Sequence, residues 1–331
     1  MLRTTHITDD RFTTLRAMGF ALASAALIVA AACGGETKEA GGEPANPSTT
    51  PVATSGTPDS SGGNVAPEKV VVQKVALTEA ESVYREKRYA DAAQLFSTYA
   101  EQQPNNPWGH YMLGLSAWKS GDLTRAESAL VRSLELDPKH VKTLLNLARV
   151  HLDQGRPKDA RDRVTAALAL DSTSGEAYRL MGRVHAALNQ PNEAIASYRV
   201  ALSHDPADVW SMNNMGLLMI QQGRHEEALG PLARAAQLDS TVAVFQNNLG
   251  IALEHTGRFA LAAQAYQAAV AVDGNYTKAQ LSLARVEGRK DDPSVVPVEL
   301  GTLAESFDRE IRSVQMGGPV PKTEPVPVPP R

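Results

Sequence analysis

Small and apolar positions return along the middle of this chain with a period of 34 residues: "NNMGLLMIQQGRHEEAL" begins at Asn213 and "NNLGIALEHTGRFALAA" at Asn247. The same register extends in both directions as frames 73–106, 107–140, 141–174, 175–208, 209–242 and 243–276, with no insertion. Position 8 of each frame is small (Ala80, Gly114, Ala148, Gly182, Gly216, Gly250), and position 20 is always alanine (Ala92, Ala126, Ala160, Ala194, Ala228, Ala262). Position 24 is large and apolar throughout: Phe96, Leu130, Val164, Tyr198, Leu232 and Tyr266. The spacing predicts two amphipathic helices of about a dozen residues per frame, brought close where the small residues lie. Between them, position 15 carries Gly121, Gly155, Asn189, Gly223 and Gly257. These are residue types that adopt a left-handed turn cheaply. Pro157 and Pro191 fall where a second helix begins and a missing N–H is harmless. Pro104, Pro138 and Pro206 end their frames at position 32.

The period and signature, as in "YMLGLSAWKSGDLTRAESALVRSLELDP", resemble the tetratricopeptide repeat family over residues 73 to about 289. The first frame departs from the pattern at Glu79, where leucine is usual. The resemblance implies an all-α fold, a right-handed α-solenoid of six helix-turn-helix repeats. Residues 277–289, "TKAQLSLARVEGR", form a lone helix that would cap the apolar end of the stack. One frame cannot bury its own apolar face, whereas six in register make a continuous core.

The segments outside the repeats read differently. "MGFALASAALIVAAAC" places fifteen apolar or small residues before Cys33, behind Arg3, Arg11 and Arg16. This is the pattern of a signal peptide over residues 1–32, and it is too short to span a bilayer as a helix. "VAAAC" resembles the lipobox of bacterial lipoproteins, which implies lipidation of Cys33; Ala30 stands where leucine is usual, and cleavage at "AAA" is the alternative. Gly34 follows the cysteine in place of an aspartate, which favours the periplasmic face of the outer membrane. Residues 33–72 are rich in Gly, Pro, Ser and Thr and too poor in large apolar groups to fold. Within them residues 34–69, about 36 residues, read as a tether with a span of roughly 30 to 36 Å.

On a 3.6-residue helix, positions 2, 5, 6, 9, 12 and 13 of a frame share one face, and positions 4, 7, 8 and 11 share the opposite one. The second set is apolar or small and faces the stack. The first set is expected to look outward, and in the family it is similar to the face lining a concave groove. Here it carries Asn146, Asn214 and Asn248 at position 6 and Asn213 and Asn247 at position 5. A carboxamide both donates and accepts, so such a ladder could clamp an extended peptide backbone. Trp108, Tyr111, Leu115, Trp118, Trp210, Leu217 and Ile220 offer apolar surface for a partner's side chains. Lys74, Arg85, Lys119, Lys142, Arg149, Arg179, Arg183, Lys278 and Arg285 oppose Glu81, Asp153, Glu176 and Glu254. Nine cations against four carboxylates would favour acidic segments, with Arg149, Arg179 and Arg183 converging on them.

The chain as a whole has a formal net charge of −4 and one cysteine. That balance argues against a nucleic-acid partner, and a single cysteine forms no disulfide or CxxC site. "HEEAL" at His225 lacks the second histidine of a zinc helix, His151 and His185 read as helix-packing residues, and neither a nucleophile elbow nor a phosphate loop occurs. No cofactor and no metal are expected. The expected role is a non-catalytic scaffold of the bacterial envelope that binds other envelope proteins or peptides. A pilotin-like factor for secretin assembly and an adaptor for cell-wall hydrolases are the alternatives. After the cap, Leu300, Leu303, Phe307, Ile311 and Val314 predict an amphipathic helix over about 298–314, which either docks on the solenoid or serves a coiled coil or partner. The tail "GGPVPKTEPVPVPPR" reads as extended polyproline.

Overall fold

The computed structural model describes residues 76–291 and 293–317. The expected signal peptide, Cys33, the tether with Lys74, and the proline-rich tail lie outside the described residues. Within them the chain is all-α. The six frames become α1 (Leu77–Arg85) with α2 (Tyr89–Gln102), α3 (Pro107–Ser120) with α4 (Leu123–Leu136), and α5 (Val141–Asp153) with α6 (Pro157–Leu170). There follow α7 (Gly175–Ala187) with α8 (Pro191–His204), α9 (Val209–Gln221) with α10 (His225–Leu238), and α11 (Ala243–His255) with α12 (Phe259–Val272). α13 (Thr277–Val286) is the cap and α14 (Leu300–Gln315) the last helix. Through α13, each helix packs on the one before it and the one after it, which is a solenoid of six helix pairs and a cap.

The pairing is explained by positions 8, 20 and 24. All six alanines at position 20 and all six large residues at position 24 are fully buried. A Cβ added to Gly182 would lie 2.5 Å from the Tyr198 ring, and one added to Gly216 would lie 2.5 Å from Leu232. Gly114 and Gly250 stand in the same way against Leu130 and Tyr266. The missing side chain at position 8 is thus the space that position 24 fills. Helix starts are fixed locally: the Asn106, Asp122, Ser174 and Asp208 side chains accept from backbone N–H groups of α3, α4, α7 and α9.

At the turn, Gly121, Gly155, Asn189, Gly223 and Gly257 all have positive φ, as the sequence pattern requires. The first frame has Lys87 at the same position, with φ 61°. The geometry of the turn therefore holds even where the side chain opposes it. At the other end, Gln280 and Ala284 of α13 and Glu287 just after it are exposed at the positions where a partner helix of its own would pack. A polar or small edge there ends the stack.

α14 docks rather than standing free. Ala304, Phe307 and Ile311 are buried against α8 and α10, on the side made by the second helices of frames four and five. Arg199 pairs with Glu310 at 3.0 Å, and Arg234 with Asp308 at 2.9 Å. The connecting segment is held where Arg258 donates to the Val296 carbonyl and Asp291 accepts from the Ala260 N–H. No described helix is long and apolar enough to cross a membrane.

Lys87 yields a test of the turn. A left-handed non-glycine residue costs about 1–2 kcal/mol, while glycine loses roughly 0.5–1 kcal/mol more entropy on ordering. Lys87→Gly should therefore raise stability by about 0.5–1 kcal/mol in urea denaturation; lowered stability would count against the strained turn.

Candidate binding groove

The first helices of the frames line up on one side of the stack, where α3 touches α5, α5 touches α7, α9 touches α11 and α11 touches α13. A cavity of about 420 Å³ opens on this side, lined by Tyr84, Tyr111, Leu115, Trp118, Lys119, Lys142, Asn146, Arg149 and Glu176. Every one of them occupies position 2, 5, 6, 9, 12 or 13 of its frame. The lining face is the one that helical periodicity selects. Tyr84, at position 12 of the first frame, is the lining residue to which the aromatic pattern gave no attention.

The polar groups of this cavity are largely tied to one another. Asn146 Nδ2 donates to the Tyr111 hydroxyl at 3.2 Å and its Oδ1 accepts from Arg149 at 2.7 Å. Arg149 also pairs with Glu176 of the next frame. Burial pushes the Tyr111 phenol above its ordinary pKa, against the opposing pull of the Asn146 hydrogen bond. The Trp118 indole N–H donates to Asp153 at 2.7 Å, and Arg183 reaches the same carboxylate at 3.8 Å. Lys119 lies 4.7 Å from the centre of the Trp118 ring. Lys142 is exposed on the rim and has no ion-pair partner among the described residues. Trp108 is 42% exposed, donates to Glu81 at 3.1 Å and lies against Tyr111.

Two expectations change on this geometry. First, the asparagines do not look outward: Asn146, Asn213, Asn214, Asn247 and Asn248 are all buried, and Asn213 is 0% exposed. Asn248 Nδ2 donates to Asn213 Oδ1 at 2.9 Å across frames, Asn213 donates to Asn214, and Asn247 to Asn248. The amides on α9 and α11 satisfy each other because the same residue type returns at the same height in adjacent frames. One acceptor, Asn247 Oδ1, is buried without a partner among the described residues. Second, the three arginines do not converge on open space. Arg149 is engaged by Glu176, Arg183 by Asp153, and Arg179 by Asp208 at 3.4 Å. Asp208 also caps α9, so its role was hidden by its place before the helix.

In the C-terminal half, Trp210 packs edge-on against Phe245 and is partly buried. Leu217 is buried and Ile220 half-buried. Glu254 accepts from Arg285, which holds its carboxyl below the usual range, and the Tyr266 hydroxyl donates to it as well. Burial and that carboxylate raise the Tyr266 phenol well above its ordinary value. His151 is buried at a helix contact, with its Nε2 3.3 Å from Glu127. His225 stacks on His255 with ring centres 4.3 Å apart; burial and the neighbouring imidazole lower the His225 pKa. No group of three or more metal-ligating side chains occurs among the described residues.

Comparison with known proteins agrees with the architecture. Tetratricopeptide repeat models match residues 117–184, and 179–243 with 216–279. No curated protein sequence matches the chain. Among solved structures, the chain is similar to Pseudomonas aeruginosa pilF at 21% identity and a TM-score of 0.50, covering 64% of this chain and 93% of that one. Cut9 with Hcn1, from an APC/C hetero-tetramer, gives a TM-score of 0.57 at 17% identity; 64% of this chain aligns, but only 42% of that one. MamA from Desulfovibrio magneticus RS-1 is similar at 21% identity and a TM-score of 0.45, covering 49% of this chain and 91% of that chain. The molecule is an α-solenoid built as a protein-interaction scaffold. The repeats over residues 117–279, just under half of the chain, match those of the tetratricopeptide repeat family.

The amide ladder makes a prediction opposite to that for a solvated face. Asn248→Ala leaves the Asn213 Oδ1 and Asn247 Nδ2 groups without partners, so stability should fall by about 1–3 kcal/mol. An exposed asparagine would cost no more than about 0.5 kcal/mol. Urea denaturation distinguishes the two, and a loss within the smaller figure would exclude a structural ladder.

Proposed function

We propose that this chain is a non-catalytic scaffold of the bacterial envelope, held to a membrane by a lipid on Cys33, that grips acidic extended segments in the N-terminal half of its groove. The observation that carries the reading is the cavity between α1, α3, α5 and α7, with aromatic walls and a rim lysine, Lys142, that has no ion pair among the described residues. A pocket of this size takes one or two side chains of a peptide. An apolar side chain of the partner enters between Tyr84, Leu115 and Trp118. A carboxylate beside it meets Lys142, with Lys119 close by. Asn146 and Arg149, locked to Tyr111 and Glu176, fix the floor of the cavity and need no reordering when the peptide arrives.

The amide ladder of α9 and α11 is not the clamp in this proposal, because its asparagines are buried and bonded mainly to one another. Binding specificity is instead concentrated in the first four frames. The tether expected over residues 33–72 gives the solenoid reach from the membrane. The acyl chains expected on a lipoprotein cysteine contribute about 0.8 kcal/mol per buried CH₂, enough with more than one chain for firm attachment.

Two measurements test the reading. A fluorescent peptide carrying a phenylalanine flanked by aspartates should bind the purified chain, and its lysine-flanked counterpart should not. Lys142→Ala and Trp118→Ala should each weaken binding by roughly tenfold, the lysine effect fading at high salt as the Debye length shortens and the tryptophan effect persisting. Equal binding of both peptides would refute the acidic preference. For the anchor, Cys33→Ser should move the protein from the membrane fraction to the soluble one; wild-type protein found soluble and without lipid would refute it.

A further inference from the structure

The second helices of frames four and five carry an apolar face that the repeat does not need. At position 21, Ile195 and Leu229 are fully buried, where frames two and three have Glu127 and Arg161. At position 22, Ala196 and Gly230 stand where those frames have Ser128 and Asp162. Gly230 lies directly beneath Phe307: an added Cβ there would be 3.4 Å from the Phe307 Cβ, an ordinary contact. Two arginines flank the trough, Arg199 and Arg234, each held by a carboxylate of α14. The contacts of positions 8, 20 and 24 close the core of each frame without α14, so this trough is additional to the solenoid's own packing.

We propose that this face of α8 and α10 is a second interaction surface, specific for an acidic amphipathic helix of a partner protein, and that α14 is its displaceable resident ligand. The chemistry of the partner is read from what fits now. It presents an aromatic and an aliphatic side chain one turn apart, as Phe307 and Ile311 do, with carboxylates beside the aromatic residue, as at Asp308 and Glu310. The charge complementarity is one-sided, because both flanking groups of the trough are arginines. The latch is held along one face only, where Leu300 and Leu303 also pack on the core and Gln315 donates to the Ser203 carbonyl. Of the sixteen residues of α14 only Ala304, Phe307 and Ile311 are buried, and Thr302, Glu305, Ser306, Arg309 and Arg312 face away. Glu310 retains 34% side-chain exposure in its ion pair. Tethering supplies a high local concentration of α14, which keeps the contact closed until a partner competes for the face.

The test uses the full chain with Phe307→Asp and Ile311→Asp, which ejects α14, and a labelled peptide of residues 298–317 as the partner helix. The peptide should saturate this variant and bind the wild type at least about tenfold more weakly, because the resident helix competes. Reversing Asp308 and Glu310 to lysine in the peptide should weaken binding by about tenfold or more, a change that leaves the solenoid untouched. Equal binding to both chains, no saturable binding to the variant, or indifference to charge reversal would overturn the proposal. Hydrogen exchange on the wild type gives an independent answer if the variant fails to fold. Amides of α14 should exchange at least about a hundredfold faster than those at the centres of α8 and α10. Equal protection would make α14 an integral part of the core rather than a latch.

Discussion

The close approach of the two helices in each frame governs the molecule. It exists because position 8 has no side chain, or only a methyl, where position 24 must fit: the Tyr198 ring occupies the space at Gly182, and Leu232 the space at Gly216. Alanine at position 20, buried in every frame, keeps the same seam narrow. With the helices fixed at that distance, a left-handed residue at position 15 is the means by which the chain turns back, and the requirement is strong enough to hold Lys87 at φ 61°. Frames made alike then stack alike. Their first helices come to lie side by side, and a face belonging to one helix becomes a groove belonging to all.

The repetition that builds the groove also limits what it can offer. Polar residues on the stacked first helices meet polar groups of the adjoining frame. For Asn213 and Asn248 the result is a hydrogen bond between frames and nearly complete burial. For Arg149, Arg179 and Arg183 it is an ion pair with a carboxylate of an adjoining frame, or of the cap that begins it. Chemistry left over for a partner therefore lies where the repeat is least regular. Tyr84 and Trp118 share position 12 of the first two frames, where the third has Leu152, and Lys142 stands at position 2 between Trp108 and Glu176; all three line the cavity. The opposite side follows the same rule, since the trough that receives α14 is made by residues unique to frames four and five.

Much of this was legible in the sequence, for a physical reason. Periodicity reports direction around a helix axis, so the frames, the buried alanines, the turns and the lining face of the groove could all be read from spacing. It does not report the distance to the next helix. That is why Asn146, Asn213, Asn214, Asn247 and Asn248 pointed to the correct side yet proved to be buried there. The docking of α14 was open for a related reason: the apolar spacing of Leu300, Phe307 and Ile311 shows that the helix needs a partner but does not name one. The signal that could have named it was the loss of polar residues at positions 21 and 22 in frames four and five. It becomes visible only when the frames are compared with one another rather than averaged.

Partner binding in the irregular N-terminal cavity, as proposed, and a structural role for the regular amide ladder are distinguished by the tryptophans. The chain has three tryptophans, so the indole N–H signals of a ¹⁵N-labelled sample place a ligand directly. Trp118 lines the cavity, whereas Trp210 packs on Phe245 in the C-terminal half. On titration with an acidic aromatic peptide, the Trp118 signal should move and saturate while the Trp210 signal stays in place. Movement of Trp210 with Trp118 unchanged would contradict the account.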